Sequence, residues 1–174
     1  MIMNPEASFQ LARTLSAPAG APLGDVFGFV SGLYFRGKMT YARRFGHAQG
    51  GKESSFVMTA GGGLCSLDER VTLARLRGWQ SVAVDEQNPH FTAPLQRHAS
   101  LLLDAHGAEA RFVLLGSVAS KKYVAPLLEV FEKCLFFPEQ FAGLGDMSRG
   151  SLLLRAVRED RELDYAPVTA RTPQ

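Results

Sequence analysis

Apolar residues along this chain alternate between short continuous runs and stripes spaced three to four residues apart, with Gly, Pro and small polar residues between them. Residues 26–30 (Val-Phe-Gly-Phe-Val) form a continuous run bounded by Ser31-Gly32, which predicts a buried strand. The spacing then changes. Tyr34, Phe35, Met39, Ala42 and Phe45, with the stem of Lys38, predict a helix that Gly46 stops. Residues 56–59 predict a second strand, cut off by Gly61-Gly62-Gly63, and Thr72 caps a short helix over 73–77 ended by Gly78. Residues 81–84 suggest a further strand.

The second half follows the same alternation. Asn88-Pro89 is a helix start, an N-cap followed by proline at the first helical position. Phe91, Leu95, His98 and Leu102 keep one face of that helix apolar up to Gly107, and the place of His98 on that face predicts a packing role. Residues 111–115 (Arg-Phe-Val-Leu-Leu) predict a strand running into Gly116-Ser117. A stripe of Val124, Leu127, Leu128, Phe131, Cys134 and Leu135 predicts the next helix, and Pro126, tolerated in a first turn, sets its start near Tyr123. Residues 141–150 predict a glycine-bearing polar loop before a helix over 151–158, and 163–168 an edge strand limited by Pro167.

Strands alternating with helices in this way predict an α/β fold, a three-layer sandwich with a mostly parallel central sheet. The Pro/Gly/Ala-rich stretch 17–24 divides a flexible N-terminal segment, 1–24, from one α/β domain over 25–168, and 169–174 reads as a fraying tail. Length agrees with one domain. Nineteen Lys and Arg against seventeen Asp and Glu leave a net charge of +2, which excludes a strongly basic nucleic-acid coat but leaves room for a local cluster. Cys65 and Cys134 form no Cys-x-x-Cys pair and have no His at ligand spacing, so two free thiols are expected rather than a zinc site. With no apolar run near the ~18 residues of a membrane span and no basic leader, the expected setting is cytoplasmic.

Ligands of a parallel sheet bind outside the carboxyl ends of its strands, so the strand-to-helix loops are where chemistry is expected. The first offers Ser31, Gly32, Tyr34, Arg36 and Lys38. Cations in the first turn of a helix oppose its macrodipole, a conflict that an anionic ligand relieves and that solvated side chains also avoid. A later loop repeats the pattern with Gly116, Ser117, Lys121, Lys122 and Tyr123. The Gly-Leu-Gly-Asp-Met-Ser-Arg-Gly segment places an acid, a hydroxyl and a bidentate cation within four residues, Asp146, Ser148 and Arg149, where the alternative is a local N-cap. The triple glycine lacks the lysine and serine of a phosphate loop and does not match the dinucleotide fingerprint, so no cofactor is assigned. No Ser/His/Asp arrangement or nucleophile elbow is present.

Taken together, Ser31-Gly32-Leu33-Tyr34-Phe35-Arg36-Gly37-Lys38, Leu114-Leu115-Gly116-Ser117 with Lys122-Tyr123, and Gly145-Asp146-Met147-Ser148-Arg149-Gly150 resemble segments of a family of bacterial proteins of similar length. That likeness spans nearly the whole core and carries no reaction with it. Residues 114–121 also resemble, faintly, a strand-and-turn segment of the uracil-DNA glycosylase superfamily. The chain departs from that pattern in lacking the Gly-Gln-Asp-Pro-Tyr loop that activates water and the His-Pro-Ser segment that supports the leaving base. The resemblance therefore implies an α/β scaffold handling a nucleoside or nucleotide rather than base excision. The expected function is a nucleotide- or nucleic-acid-related enzyme acting at a glycosidic or phosphate ester bond. Arg36, Lys38, Lys121, Lys122 and Arg149 would hold phosphates, and Asp146 would serve as general acid or base. The alternative is a non-catalytic module that binds a nucleotide or a protein with the same loops.

Overall fold

In the computed structural model, which describes residues 2, 4 and 7–169, helices dominate and the strands are short. The first half contains α1 (Gln10–Ser16), β1 (Ala21–Pro22), α2 (Leu23–Val30), α3 (Gly32–Phe45), β2 (Phe56–Thr59), β3 (Gly63–Ser66), β4 (Arg70–Val71) and α4 (Leu73–Gln80). The second half contains α5 (Pro89–His106), β5 (Phe112–Val113), α6 (Lys121–Phe131), β6 (Leu135–Pro138), α7 (Asp146–Arg158) and β7 (Tyr165–Pro167). The described strands fall into three separate sheets, β1–β4, β2–β3 and β5–β6–β7, and of their pairings β5–β6 is parallel while the others are antiparallel. The expected three-layer sandwich around a mostly parallel sheet is therefore not the fold of this protein.

The correction begins at residues 26–30, which lie in a helix. A short apolar run cannot be told from a buried helix turn by periodicity alone. Here Leu23, Val26 and Phe27 point inward at spacings of three and four while Asp25, Phe29 and Val30 face out, so the run is one half-buried helical face. Residues 81–84 form no strand. Of the run 111–115, Phe112 and Val113 are strand. The central strand of the three-stranded sheet, β6, begins inside the apolar stripe that predicts the preceding helix. Glu132 takes a left-handed φ of 48°, which breaks α6 after Phe131, and Leu135-Phe136-Phe137 then leave as extended chain.

Boundary signals hold where a side chain closes the helix. The Thr72 hydroxyl accepts from the Arg75 amide, the Asn88 side chain accepts from the His90 amide, and Gly46 and Gly107 end α3 and α5. Other boundaries move. Gly78 lies inside α4, and α6 starts at Lys121, so Lys121 and Lys122 belong to its first turn rather than to a loop.

The apolar residues gather in two clusters. One joins Phe91, Leu95, Leu127, Phe131, Leu135, Phe141 and Leu153. The other joins Leu15, Leu23, Val26, Val57, Cys65 and Val71. Helix α3 touches both, with Tyr34, Tyr41 and Phe45 against the first and Phe35 and Met39 against the second. Residues 10–24, expected to belong to a flexible segment, hold α1 and β1. Ala12, Leu15, Ala21 and Leu23 are buried there, because apolar side chains at three-residue spacing give this stretch a face to bury. Of the tail expected at 169–174, all but Thr169 lies outside the described residues, as do residues 1, 3, 5 and 6.

Candidate functional site

Two of the segments singled out by sequence are brought together by a glycine contact. Helices α3 and α7 cross where Gly37 faces Gly150. A Cβ on Gly37 would lie 2.9 Å from the Gly150 carbonyl oxygen, and one on Gly150 would lie 3.0 Å from the Tyr34 Cα. No side chain fits between the two backbones there, so the helices approach more closely than side chains allow elsewhere. Tyr34 and Lys38, one turn apart on α3, are thereby set beside Asp146 and Arg149 in the first turn of α7.

The Lys38 ammonium stands over the Tyr34 ring, 3.9 Å from its centroid. Burial pushes the Lys38 pKa down to about 8; the charge of Asp146 works against that shift and the charge of Arg149 adds to it. The Tyr34 hydroxyl is pushed up by burial, with the neighbouring Arg149 opposing, and donates a long hydrogen bond of 3.4 Å to the Leu115 carbonyl. Arg149 is held on three sides: Nε donates to the Phe141 carbonyl at 3.3 Å, the guanidinium lies 5.6 Å from the Phe141 ring centroid, and Nη1 is 3.6 Å from Asp146 Oδ1. The Arg149 side chain is 12% exposed and that of Asp146 71%. The carboxylate is thus wet and weakly paired, while the two cations are drawn into the protein. Among the described residues Lys38 has no carboxylate within ion-pair distance.

The remaining predicted residues divide between this cleft and other faces. Gly116 and Ser117 follow Leu115 and sit, half-buried, next to the carbonyl that Tyr34 reaches. Ser31 is exposed at the joint between α2 and α3, and Gly32 turns the chain there with a φ of 65°. Arg36 lies elsewhere: its stem runs along α2, where a Cβ on Gly28 would lie 3.7 Å from Arg36 Cγ, and the residue is exposed. Lys121 and Lys122 are exposed on α6, with Lys122 Nζ 5.2 Å from the centroid of the half-buried Tyr123 ring. Ser148 faces solvent in an open concavity of about 520 Å³ along the outer side of α7, together with Leu144, Met147, Ser151 and Arg155. Asp146, Ser148 and Arg149 lie in the helix and not in a loop before it, and Gly145 is the N-cap without a side-chain bond, so neither Asp146 nor Ser148 serves as the cap.

Sequence reasoning misses the parts that assemble the cleft. Phe141, whose carbonyl and ring hold Arg149, falls in the stretch that reads as a loop. Gly37 and Gly150 carry no sign there of being contact points, although a glycine inside a helical pattern is a signal of close approach. His98 behaves as its position implies, with Nδ1 2.9 Å from the Leu64 carbonyl oxygen. Among the described residues no group of three His, Cys, Asp or Glu could hold a metal ion, and no helix is long and apolar enough to cross a membrane. Comparison with known proteins returned no matching family model, no similar curated protein and no similar solved structure.

Proposed function

We propose that this protein binds a small phosphate-bearing ligand, with nucleotides the first class to test, in the cleft between α3 and α7. The observation that supports this reading is the pairing of two inward-drawn cations, Lys38 and Arg149, from different helices, with a single exposed carboxylate beside them. Two neighbouring cations out of water cost free energy that an incoming anion relieves. Arg149 supplies a planar fork held by Phe141, Lys38 supplies a point charge, and the unpaired amides at the start of α7 favour the same sign of ligand. We further read the setting as cytoplasmic, since Cys65 and Cys134 are free and buried in different cores.

The test is calorimetry and thermal shift at low salt with inorganic phosphate, mononucleotides and short oligonucleotides. Binding should weaken about tenfold in Arg149→Lys, which keeps the charge and loses the fork, and should be unchanged in Arg36→Ala. No response to any of these ligands rules the reading out. A catalytic reading, in which the protein cleaves a glycosidic or phosphate ester bond, is favoured by one observation, the exposure of Asp146 next to Arg149. In that case Asp146→Asn removes the proton carrier and lowers turnover by about 10²- to 10⁴-fold while leaving ligand affinity in place. A rate unaffected by that change removes Asp146 from the chemistry and takes away the observation that favours catalysis in this cleft.

A further inference from the structure

We infer that Lys38 forms an imine with small aldehydes or ketones that carry a phosphate or carboxylate, Arg149 holding the anionic end while Lys38 Nζ attacks the carbonyl carbon. This rests on the reading of Arg149 as an anion holder and narrows the class of ligand. The chain has five lysines, and the other four, Lys52, Lys121, Lys122 and Lys133, are exposed while Lys38 is half-buried. Its amine is fixed in position, 3.9 Å above the Tyr34 ring, beside a guanidinium anchored on Phe141 and an exposed carboxylate, Asp146. A positioned amine, a separate anion holder and a wet acid-base group are the parts that imine formation needs.

In the step itself the Lys38 lone pair makes the new C–N bond as the carbonyl π bond opens to a carbinolamine. Loss of water then gives the imine. Both amine protons depart with the carbonyl oxygen as water, solvent carrying them between the amine and the exposed carboxylate of Asp146, and nothing is oxidised or reduced. Only neutral amine attacks. With its pKa lowered to about 8, Lys38 has more of that form at neutral pH than an exposed lysine, on the order of a hundredfold. Its lower basicity offsets part of this, leaving an advantage of about tenfold in rate. An anion seated on Arg149 cancels the smaller of the two lowering causes and leaves burial, the larger, in force.

The experiment exposes the full chain to pyridoxal 5′-phosphate at about pH 7.5, traps imines with borohydride and maps the modified lysines by mass spectrometry. Lys38 should be modified about tenfold faster than each of the other four, inorganic phosphate should compete, and the phosphate-free aldehyde pyridoxal should lose most of the preference. Lys38→Arg keeps a charge and a similar length but has no amine able to attack, so it should abolish the selective label while the other four lysines still react at their slow rate. Uniform labelling of all five lysines while phosphate still binds overturns the imine inference and leaves the anion reading standing. Selective labelling of Lys38 that neither phosphate nor Arg149→Lys alters overturns the anion reading, and with it the requirement for an anionic group on the carbonyl compound.

Discussion

At the scale of single residues, Lys38 makes the pH dependence of stability readable. Its folded pKa, about 8, lies below the ordinary lysine value of 10.5, so between those values the unfolded chain binds more protons than the native one. Stability contributed by this site therefore rises with pH across that window, and its cost is fully present below about pH 8. The Cys65 thiol, pushed up by burial, acts in the opposite direction from about pH 9, and the raised hydroxyls of Tyr34 and Tyr41 follow from about pH 10. Comparison with Lys38→Met isolates the lysine from these. That variant should be more stable at neutral pH by about 1 kcal/mol, or roughly 3 °C in Tm, and the difference should vanish by pH 10.5. A constant difference from pH 6 to pH 10.5 would show that the amine is not desolvated.

At the scale of elements, two glycines with opposite surroundings make the helix crossing testable. Gly78 lies in α4 with nothing within 4 Å of the place a Cβ would take, so Gly78→Ala should stabilise by about 0.5–1 kcal/mol through helix propensity alone. Gly150→Ala drives a methyl against the backbone of Tyr34, which has no rotamer to change, and should cost about 1–3 kcal/mol while weakening phosphate binding, because the crossing that sets Lys38 beside Arg149 must open. Chemical denaturation and calorimetry on both variants check the pair. The same contrast explains what can be read from sequence. Signals confined to a turn of chain agree with the structure: Thr72 and Asn88 as caps, Gly46 and Gly107 as stops, Phe56–Thr59 as a strand. Signals that depend on what lies across from a residue do not. Residues 26–30 form a helix because one side of the run is open to solvent, and β6 escapes notice because Cys134 and Leu135 continue the stripe of α6 past the point where Glu132 turns the chain. For the cleft, the residue types in the α3 and α7 segments are visible in the sequence, and the exclusion of Arg36, Lys121 and Lys122 is not, since it follows from the helix crossing and not from a sheet edge.

At the scale of the whole molecule, α3 is the piece shared by both apolar clusters, and a hydrogen-bonded chain ties its middle to the C-terminal strand. The Leu163 amide donates to the Tyr41 hydroxyl at 2.9 Å, the Tyr41 and Tyr165 hydroxyls are 2.7 Å apart, and Tyr165 donates to Glu162 at 2.8 Å. Removing the Tyr41 hydroxyl deprives the Leu163 amide of its acceptor and breaks the link between α3 and β7, which should cost about 1–3 kcal/mol. The single tryptophan, Trp79, packs against the other cluster, the one containing Leu15 and Val71, and so reports on a core that Tyr41 does not enter. If α3 couples the two cores into one cooperative unit, Tyr41→Phe lowers the denaturation midpoint seen by Trp79 fluorescence as much as the midpoint seen by far-UV circular dichroism. Leu15→Ala, expected to cost about 2–5 kcal/mol in the second core, should likewise shift both signals together. A fluorescence midpoint that stays in place when Tyr41 is changed, while the dichroism midpoint falls, would mean that the clusters unfold separately. The cleft between α3 and α7 would then open while the cluster around Leu15 and Val71 stays folded.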